Sequence, residues 1–455
     1  MKTNIAFLAA VLVLAGCDNG SESEETVPFP STYNVPSSDP ILIRNATILT
    51  GTGERIDGGA IHIVDGRIEA IGAKLKPGRD TLVIEAEGKW VTPGIIDNHS
   101  HLGLYPSPGV QPHSDGNEIT GPVTAEVWGE HSIWPQDPGF ATALAGGVTS
   151  MHILPGSANL IGGRGVVVKN LHSRTMQGMK FPGAPHTLKM ACGENPKRVY
   201  GAGRQSAPMT RMGNVAGYRQ AWADAQSYLR KLDNAEAGGG EPPDRNLRLE
   251  TLAEVLRGNI TVHNHCYRAD EMAVMLDVAR EFGYEVSSFH HATEAYKIAD
   301  LLAESGTCAA MWADWWGFKL EAFDAIRENV AFVEQAGACA IVHSDSGIGI
   351  QRLNQEAAKA MAAGQRAGID ITPETAISWI TINPAKSLRI DDQVGSLERG
   401  KMADIVIWDG DPFSVYTRAE QVLIDGAIVY DRHDPSRQPV SDFSLGTRDD
   451  TGGAP

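Results

Sequence analysis

The sequence contains little cysteine, a deficit of positive charge and few long apolar runs. Five cysteines among 455 residues exclude a miniature scaffold held together by disulfides. The 39 basic residues are outnumbered by 56 acidic ones, and the resulting net charge of −17 disfavours a nucleic-acid partner. Apolar residues make up 42% of the chain, which excludes a wholly disordered protein and suffices for a large buried core.

One apolar run, residues 5–15, lies close to the N-terminus. It is too short to span a bilayer and is typical of a secretory signal peptide, here residues 1–17. The sequence Leu14-Ala15-Gly16-Cys17 resembles the lipobox of bacterial lipoproteins, which implies lipidation of Cys17. Residues 18–39 are rich in serine, proline and glutamate and predict a flexible tether. We therefore expect an exported protein of the bacterial cell envelope, on the periplasmic side, that touches the membrane only through its lipid anchor.

The four remaining cysteines lie inside apolar segments, at Cys192, Cys266, Cys308 and Cys339. Export would allow them to oxidise, but cysteines in such segments are most often small buried apolar residues. We expect four buried free thiols.

Both ends of the chain carry β-hairpin signals. Asp65-Gly66 separates two alternating runs, 60–64 and 67–71, and Asp425-Gly426 does the same near the other end. Neither end has enough strands to complete a sheet, so we predict one composite β-sandwich from residues 40–93 and 394–431. The tail, residues 432–455, is polar.

The middle of the chain, residues 94–393, alternates strand and helix patterns. Strands are predicted at 148–154, 166–169, 187–191, 260–265, 285–290, 307–313 and 338–343. A helix is predicted over 269–282, where Met272, Met275, Leu276, Ala279 and Phe282 share one face. Repeated strand–helix units of this total size indicate an α/β fold, a TIM-like (β/α)8 barrel, with a doubly wound open sheet as the alternative. Gly162-Gly163-Arg164-Gly165 has no helix pattern after it, so we interpret it as a turn and not as a phosphate loop.

Histidines end several of these strands. His99 and His101 are two residues apart and share a strand face, as do His263 and His265. Another strand is followed by Asp345. A barrel brings the carboxyl ends of its strands to one mouth, and imidazole and carboxylate are ligands of divalent ions such as zinc. The sequence therefore predicts a metal-binding mouth.

His290 and His291 are adjacent at the end of a further strand. Neighbouring strand residues face opposite sides, so we expect only one of them to point inward. We expect His290 to pack outward.

Several motifs together resemble the amidohydrolase superfamily, and its imidazolonepropionase-related branch in particular. They are Val91 to His101 (VTPGIIDNHSH), His265 to Glu271 (HCYRADE), His291 to Lys297 (HATEAYK), His343 to Ser346 (HSDS) and Gly395 to Val406 (GSLERGKMADIV). The resemblance implies that the barrel holds one or two divalent metal ions, and zinc is the expected metal. His99, His101 and Asp345 would bind the more buried ion, and His265 and His291 the second.

The resemblance also implies a group that bridges the two ions. Many members carry a carboxylated lysine as that bridge, and Lys189 occupies the expected position. Other members use a glutamate, and Glu194 is close enough in the sequence to be the alternative bridge. His263 is an alternate to His265, or a substrate contact.

The implied chemistry is hydrolysis of a C–N amide bond, with Asp345 as general base and acid for a metal-activated water. Deaminases of the superfamily typically carry a glutamate three residues after the fifth-strand histidine. That position is Arg268 counted from His265, or Cys266 counted from His263, so ring deamination is disfavoured. Tyr267, Arg268 and Arg211 are candidate contacts for a substrate carboxylate, with internal salt bridges as the alternative for both arginines.

The leading hypothesis is a hydrolase of a small amide, a dipeptide or an N-acyl amino acid. The alternatives are a cyclic-amide hydrolase of the imidazolonepropionase kind and a non-catalytic lipoprotein that binds a metal or solute. The sequence leaves open whether the protein forms an oligomer.

Overall fold

The described part of the chain contains two β-sheets. The computed structural model describes residues 28–107 and 109–438, so the predicted signal peptide with Cys17, and most of the tail after residue 438, lie outside the described residues. Residues 28–30 belong to an N-terminal unit, and the elements below belong to a second unit that begins at Ser31. The strands are β1 (Ile41–Leu49), β2 (Arg55–Val64), β3 (Arg67–Gly72), β4 (Leu82–Glu85), β5 (Trp90–Pro93), β6 (Ile95–Ser100), β7 (Val148–Ile153), β8 (Ile161–Lys169), β9 (Thr187–Ala191), β10 (Thr261–His265), β11 (Val286–His290), β12 (Cys308–Met311), β13 (Ala340–Val342), β14 (Ile405–Trp408), β15 (Ala419–Ile424) and β16 (Ala427–Asp431).

The first sheet combines the two ends of the chain, as the sequence predicts. Its order is β16-β15-β14-β5-β1-β2-β3, with β4 also paired to β1. The two hairpins form at the predicted places, and β5 pairs with β14 in antiparallel register, Val91 opposite Ile407. Buried isoleucines of β1 and β2 pack against Ile405 and Leu423 from the far end of the chain. Burial of this shared apolar face holds the two ends of the chain together.

The second sheet is a nearly closed barrel, in the order β6 to β13, so the predicted fold class is confirmed. Its strands are parallel except β8, which runs antiparallel to both neighbours. The gap between β13 and β6 is bridged by one segment, because Trp379 and Ile380 accept hydrogen bonds from Val342 and Ile96. The carboxyl ends of the parallel strands therefore meet at one mouth.

The antiparallel strand corrects one prediction. The glycine-rich run at 162–165 lies inside β8 and is not a turn. A Cβ on Gly163 would lie 2.3 Å from the carbonyl oxygen of Val127, and the residue has a φ of +118°. Glycine is required here because another backbone passes close to the strand.

The helices cover the outside of the barrel. They are α1 (Pro138–Ala145), α2 (Glu194–Pro196), α3 (Arg211–Glu236), α4 (Leu247–Leu256), α5 (Ala269–Phe282), α6 (Ala299–Ser305), α7 (Asn329–Gln335), α8 (Leu353–Arg366), α9 (Pro373–Ser378) and α10 (Ile382–Ser387). Helix α5 buries Met272, Met275 and Ala279, the face that the apolar spacing predicts. None of the helices in the described ranges has the length and apolar character to cross a membrane.

The expectation of four free thiols is wrong. Cys192 pairs with Cys266, with Cα atoms 5.3 Å apart, and Cys308 pairs with Cys339, with Cα atoms 4.4 Å apart. The partners lie on neighbouring barrel strands or next to their ends, and only the three-dimensional pairing of those strands brings them together. In the chain-entropy account, closing loops with sequence separations of 74 and 31 residues stabilises the fold by about 4 kcal/mol each.

A buried charge cluster joins the barrel to the first sheet. The Lys169 ammonium, at the end of β8, lies 2.9 Å from a carboxylate oxygen of Asp404 and 3.0 Å from one of Asp425. The three side chains are almost fully buried, and the hydroxyl of Tyr33 also donates to Asp425. Two carboxylates with one lysine between them are tolerated in a protein interior because each is hydrogen-bonded.

We predict that Lys169→Met lowers the free energy of unfolding by about 3–5 kcal/mol, since it leaves two buried carboxylates without their cation. Chemical denaturation followed by circular dichroism measures the change. Arg219→Met is the control, because its partner Glu281 is 43% exposed and the pair is solvated; it should shift the midpoint little. An equal shift for both variants would contradict this account of the cluster.

Candidate active site

The mouth of the barrel brings together the residues that the sequence places at strand ends. The Nε2 atoms of His99 and His101 lie 3.2 Å apart, and the side chains share a face as their spacing predicts. One carboxylate oxygen of Asp345 lies 3.5 Å from the first imidazole and 3.4 Å from the second. Its other oxygen lies 3.7 Å from Nε2 of His291.

Asp97 holds the first and last barrel strands in register at this point. Its carboxylate accepts hydrogen bonds from the backbone N–H of His99, at 3.2 Å, and of Ser344, at 3.1 Å, and from the Ser344 hydroxyl. The backbone N–H of Asp345 donates to the carbonyl of His99 at 3.1 Å. Burial raises the pKa of Asp97 to about 7, against the opposing effect of these hydrogen bonds.

Two site residues adopt left-handed backbone conformations. The φ angle is +58° at His291 and +50° at Asp345. His291 directly follows β11, and Asp345 lies three residues after the end of β13. At both places the hydrogen bonds of the sheet no longer fix the backbone. Such conformations cost free energy in residues other than glycine and persist only where the surroundings impose them.

This conformation explains why the prediction for the adjacent histidines is wrong. Strand β11 ends at His290, so strict alternation does not extend to His291. His290 is fully buried and faces the barrel interior, with Nδ1 2.9 Å from Nδ1 of His99 and Nε2 2.9 Å from Nδ1 of His263. His291 turns into the mouth through its positive φ. Both imidazoles therefore belong to the site region.

Below the mouth lies a layer of three buried histidines, His152, His263 and His290. His152 hydrogen-bonds the carbonyl of Asn98 at 3.1 Å and the hydroxyl of Thr187 at 2.7 Å. His263 is thus beneath the mouth, next to His290, and does not take the place of His265 in the mouth. These histidines lie behind the predicted ligands and connect them to the barrel floor.

The hydrogen bonds behind the ligands indicate which nitrogen is free. His101 places Nδ1 2.8 Å from the carbonyl of Leu154, which can only accept, so Nδ1 carries the proton. The contacts along the chain His99–His290–His263 each join two ring nitrogens, so they permit donation in either direction. Donation from His99 to His290 and from His290 to His263 leaves Nε2 of His99 without a proton. The Nε2 lone pairs of His99 and His101 are then both directed at Asp345.

The two candidates for the bridge lie in different places. Lys189 lies on β9, opposite His263 of β10, and is 1% exposed. Burial lowers its pKa to about 7. Glu194 lies at the rim, where its carboxylate is 3.5 Å from the ammonium of Lys319. Lys189 is therefore buried inside the barrel beside the histidines, and Glu194 is at the rim.

Several buried polar atoms among these residues lack a hydrogen-bond partner. They are Nζ of Lys189, Nδ1 of His265, Nδ1 of His291 and both ring nitrogens of His343. Burial lowers the pKa of each of these histidines, that of His343 to about 4, so the imidazoles are neutral and offer lone pairs. Nearly all buried polar groups are hydrogen-bonded, and neutral imidazoles with unpartnered ring nitrogens at His291 and His343 fit a divalent ion.

The predicted substrate contacts separate into two groups. Tyr267 is 5% exposed and its ring centroid lies 4.7 Å from that of His265, so it lines the mouth. Arg268 instead forms a two-point salt bridge with Asp270, at 2.9 and 3.0 Å. Arg211 pairs with Glu271 and Glu321. For both arginines the alternative of an internal salt bridge is the one observed.

The sequence analysis missed several residues of the site. It gave no role to His152, to His343 or to the Asn195–Lys319 pair, and it gave His290 the wrong side. Asn195 lies 3.2 Å from Nε2 of His265 and accepts a hydrogen bond from Lys319 at 3.0 Å. His343 was visible as a strand end, but the others are recognisable only from contacts between distant segments.

Comparisons with known proteins agree with this geometry. The family model described as "Amidohydrolase family" matches residues 90–440. The chain is 32% identical to "Amidohydrolase tasK" of Hapsidospora irregularis over 433 residues, which are 86% of this chain and 43% of that protein. The chain thus spans less than half the length of this relative. It is also 23% identical to an imidazolonepropionase of Mesorhizobium japonicum, over 78% of this chain and 87% of that one.

A solved structure shares both fold and sequence. The amidohydrolase from Thermotoga maritima MSB8 is 37% identical, with a TM-score of 0.80, over 86% of this chain and 100% of that one. A prolidase in complex with N-methylphosphonate-L-proline has a TM-score of 0.52 at 17% identity, which shows the fold alone.

The contact behind His99 yields a prediction. We expect His290→Leu to weaken zinc binding by about 10- to 100-fold, because His99 loses the partner that fixes its orientation and tautomer. Competition with a chromophoric chelator measures the affinity. Ser288→Ala, two residues earlier and equally buried on the same strand, is the control and should leave zinc affinity unchanged. Unchanged affinity in His290→Leu would refute the positioning role.

Proposed function

Because this chain belongs to the Amidohydrolase family, whose members are hydrolases of C–N bonds and typically depend on a metal, we propose that it hydrolyses the amide bond of a small substrate, a dipeptide or an N-acyl amino acid. One observation carries the proposal. The carboxylate of Asp345 lies within 3.5 Å of the Nε2 atoms of both His99 and His101, at the carboxyl ends of barrel strands. Catalytic groups of such barrels lie at this end.

The residues present fit one or two divalent ions, which we propose to be zinc. His99, His101 and Asp345 would hold the first ion, and His265 and His291 the second, with Lys189, carboxylated, between them. When bound, such an ion acts as a Lewis acid that polarises a carbonyl oxygen and lowers the pKa of water toward about 7. The unpartnered buried nitrogens of His265, His291 and Lys189 support this assignment.

The protein's own contribution is to move one proton and to fix the geometry. Asp345 accepts the proton of the attacking water at a carboxylate oxygen and returns it to the departing nitrogen, because an amide anion leaves poorly. Asp97 keeps that carboxylate against the two histidines through the Ser344 hydrogen bonds. The products are a carboxylic acid and an amine.

Of the predicted substrate contacts we retain Tyr267, and we add Lys319. Lys319 lies 4.2 Å over the ring of Tyr267 and against Asn195, on the wall next to His265. A basic group here would meet a free carboxylate of the substrate, because its own carboxylate partner, Glu194, is 3.5 Å away. Arg268 and Arg211 lack this role because they are held in closer pairs, at 2.9 Å to Asp270 and 3.0 Å to Glu271.

Cyclic amides are the second candidate substrate class. The similarity to imidazolonepropionase of Mesorhizobium japonicum, at 23% identity over most of both chains, favours it. A panel that includes cyclic amides beside dipeptides and N-acyl amino acids separates the two. A non-catalytic, metal-binding role would appear as stoichiometric metal without turnover of any panel member.

We predict that Asp345→Asn lowers kcat by about 100- to 10,000-fold, the usual contribution of a positioned general base, while the fold is retained. Asparagine tolerates a left-handed backbone, so the φ of +50° does not oppose this substitution. Removal of metal by a chelator should also abolish wild-type turnover, and zinc should restore it.

The control for this variant is Asp80→Asn. Asp80 has a φ of +58° and is exposed, so the same substitution at the same backbone conformation should leave turnover unchanged. Melting temperatures confirm that both variants fold. Activity of Asp345→Asn within threefold of wild type would remove Asp345 from the proton-transfer role.

We further propose that the protein is exported and lipid-anchored at Cys17. The two disulfides support an oxidising compartment, since such bonds form in exported bacterial proteins. We predict that Cys17→Ser abolishes incorporation of a fatty-acid label and releases the protein from membranes. The double variant Cys17→Ser, Asn19→Cys is the control and should not regain the label, because the thiol no longer follows the lipobox. An unlabelled wild type would refute the anchor.

A further inference from the structure

The wall of the mouth beside His291 is aromatic. Trp312, directly after β12, stacks on the imidazole of His291 with ring centroids 4.4 Å apart and planes 26° apart. Its indole N–H donates to the carbonyl of Ser344, next to Asp345, and its side chain is 8% exposed. This ring is therefore fixed at the edge of the histidine cluster.

Two further rings continue the wall outward on the same loop. Trp315 stacks on Trp312 with centroids 5.6 Å apart, and Phe318 meets Trp312 edge-on at 5.7 Å. Phe318 also approaches Tyr267, at 6.3 Å. The exposed fractions rise from 8% at Trp312 to 41% at Trp315 and 58% at Phe318. The rings form a continuous surface from the histidines to the solvent, which we call the aromatic wall: Trp312, Trp315 and Phe318.

The aromatic wall is not explained by core packing. Two of its three rings are among the exposed large apolar side chains, and exposure of clustered aromatic surface is unfavourable. The nearest cation, Lys319, is already directed at Asn195 and Glu194, at 3.0 and 3.5 Å, on the Tyr267 side. The three rings of the aromatic wall therefore present apolar surface beside the histidines.

We propose that the aromatic wall is a subsite for an aromatic or large apolar side chain of the amide substrate. The inference rests on the proposed amide hydrolysis and narrows its substrate class. The wall begins in contact with His291, so a substituent stacked on it lies next to the scissile bond. Offset or edge-to-face contacts with these rings favour an aryl group over a methyl group.

The test compares matched substrates in the zinc-loaded, full-length protein. N-acetylphenylalanine and N-acetylalanine carry the variable group on the amine side, and phenylacetylglycine and acetylglycine carry it on the acyl side. We expect wild type to prefer the aryl member of at least one pair by about tenfold or more in kcat/KM. Trp315→Ala and Phe318→Ala should each reduce that preference to about threefold or less, with less effect on the methyl member.

Phe323→Ala is the matched control. Phe323 lies on the same loop and is 70% exposed, but it makes no ring contact with the wall within the described part of the chain. Its removal should leave the preference unchanged. Equal kcat/KM for both members of each pair, or a preference that survives in both wall variants, would overturn the inference.

A binding experiment separates this inference from the proposed function. Calorimetric titration of the same protein with phenylacetate and acetate, and with phenylalanine and alanine, requires no turnover. We expect about tenfold tighter binding of at least one aryl ligand, lost in Phe318→Ala. If no amide is hydrolysed but this difference is present, the proposed function fails and the subsite stands. If amides are hydrolysed without any aryl preference in rate or binding, the subsite fails and the proposed function stands.

Discussion

The site depends on one buried carboxylate, Asp97, that joins the first barrel strand to the segment after the last. Its two oxygens accept from the backbone of His99 and Ser344 and from the Ser344 hydroxyl. These residues are far apart in the chain, and β6 and β13 are bridged there by the 379–380 segment. Together with the hydrogen bond from the Asp345 N–H to the His99 carbonyl, the Asp97 contacts hold the Asp345 carboxylate at its distance from His99 and His101. Burial of a carboxylate is costly, and its hydrogen bonds offset that cost only in this arrangement.

Burial also sets the protonation of the histidines. At least seven imidazoles are packed in the mouth and in the layer below it, and like charges at such distances would repel strongly. Desolvation lowers the pKa of His99, His265, His290 and His291, so they remain neutral. A neutral imidazole donates through one nitrogen and offers a lone pair at the other. The upper histidines therefore have the neutral form in which an imidazole can bind a metal ion.

The sequence predicted the parts of the molecule that local periodicity determines. Helix α5 begins and ends at the expected residues, the Asp-Gly hairpins form, and the two-residue spacing of His99 and His101 does place them on one face. It failed where a local rule ends or where the partner is distant. The outward position predicted for His290 assumed that the strand continues, but it ends there.

Distant partners account for the other errors. The cysteines lie in apolar segments as expected, and their pairing follows from strand order alone. The sequence alone cannot show whether Arg268 binds a substrate or Asp270. Its position directly before α5 places it against Asp270. The antiparallel direction of β8 could not be predicted from its composition. Both of its faces are buried, so its sequence is as apolar as those of the neighbouring parallel strands.

The type of reaction is easier to infer from the sequence than the substrate, because the two depend on different parts of the fold. The predicted ligands stand at the ends of strands, in positions that the barrel geometry fixes for any member of the fold. The aromatic wall stands on the loop after β12, where no periodic pattern constrains the sequence. Its connection to the site became visible only in the structure, where Trp312 stacks on His291. A barrel can therefore keep one arrangement of imidazoles and carboxylate while each loop selects the side chain that is presented to it.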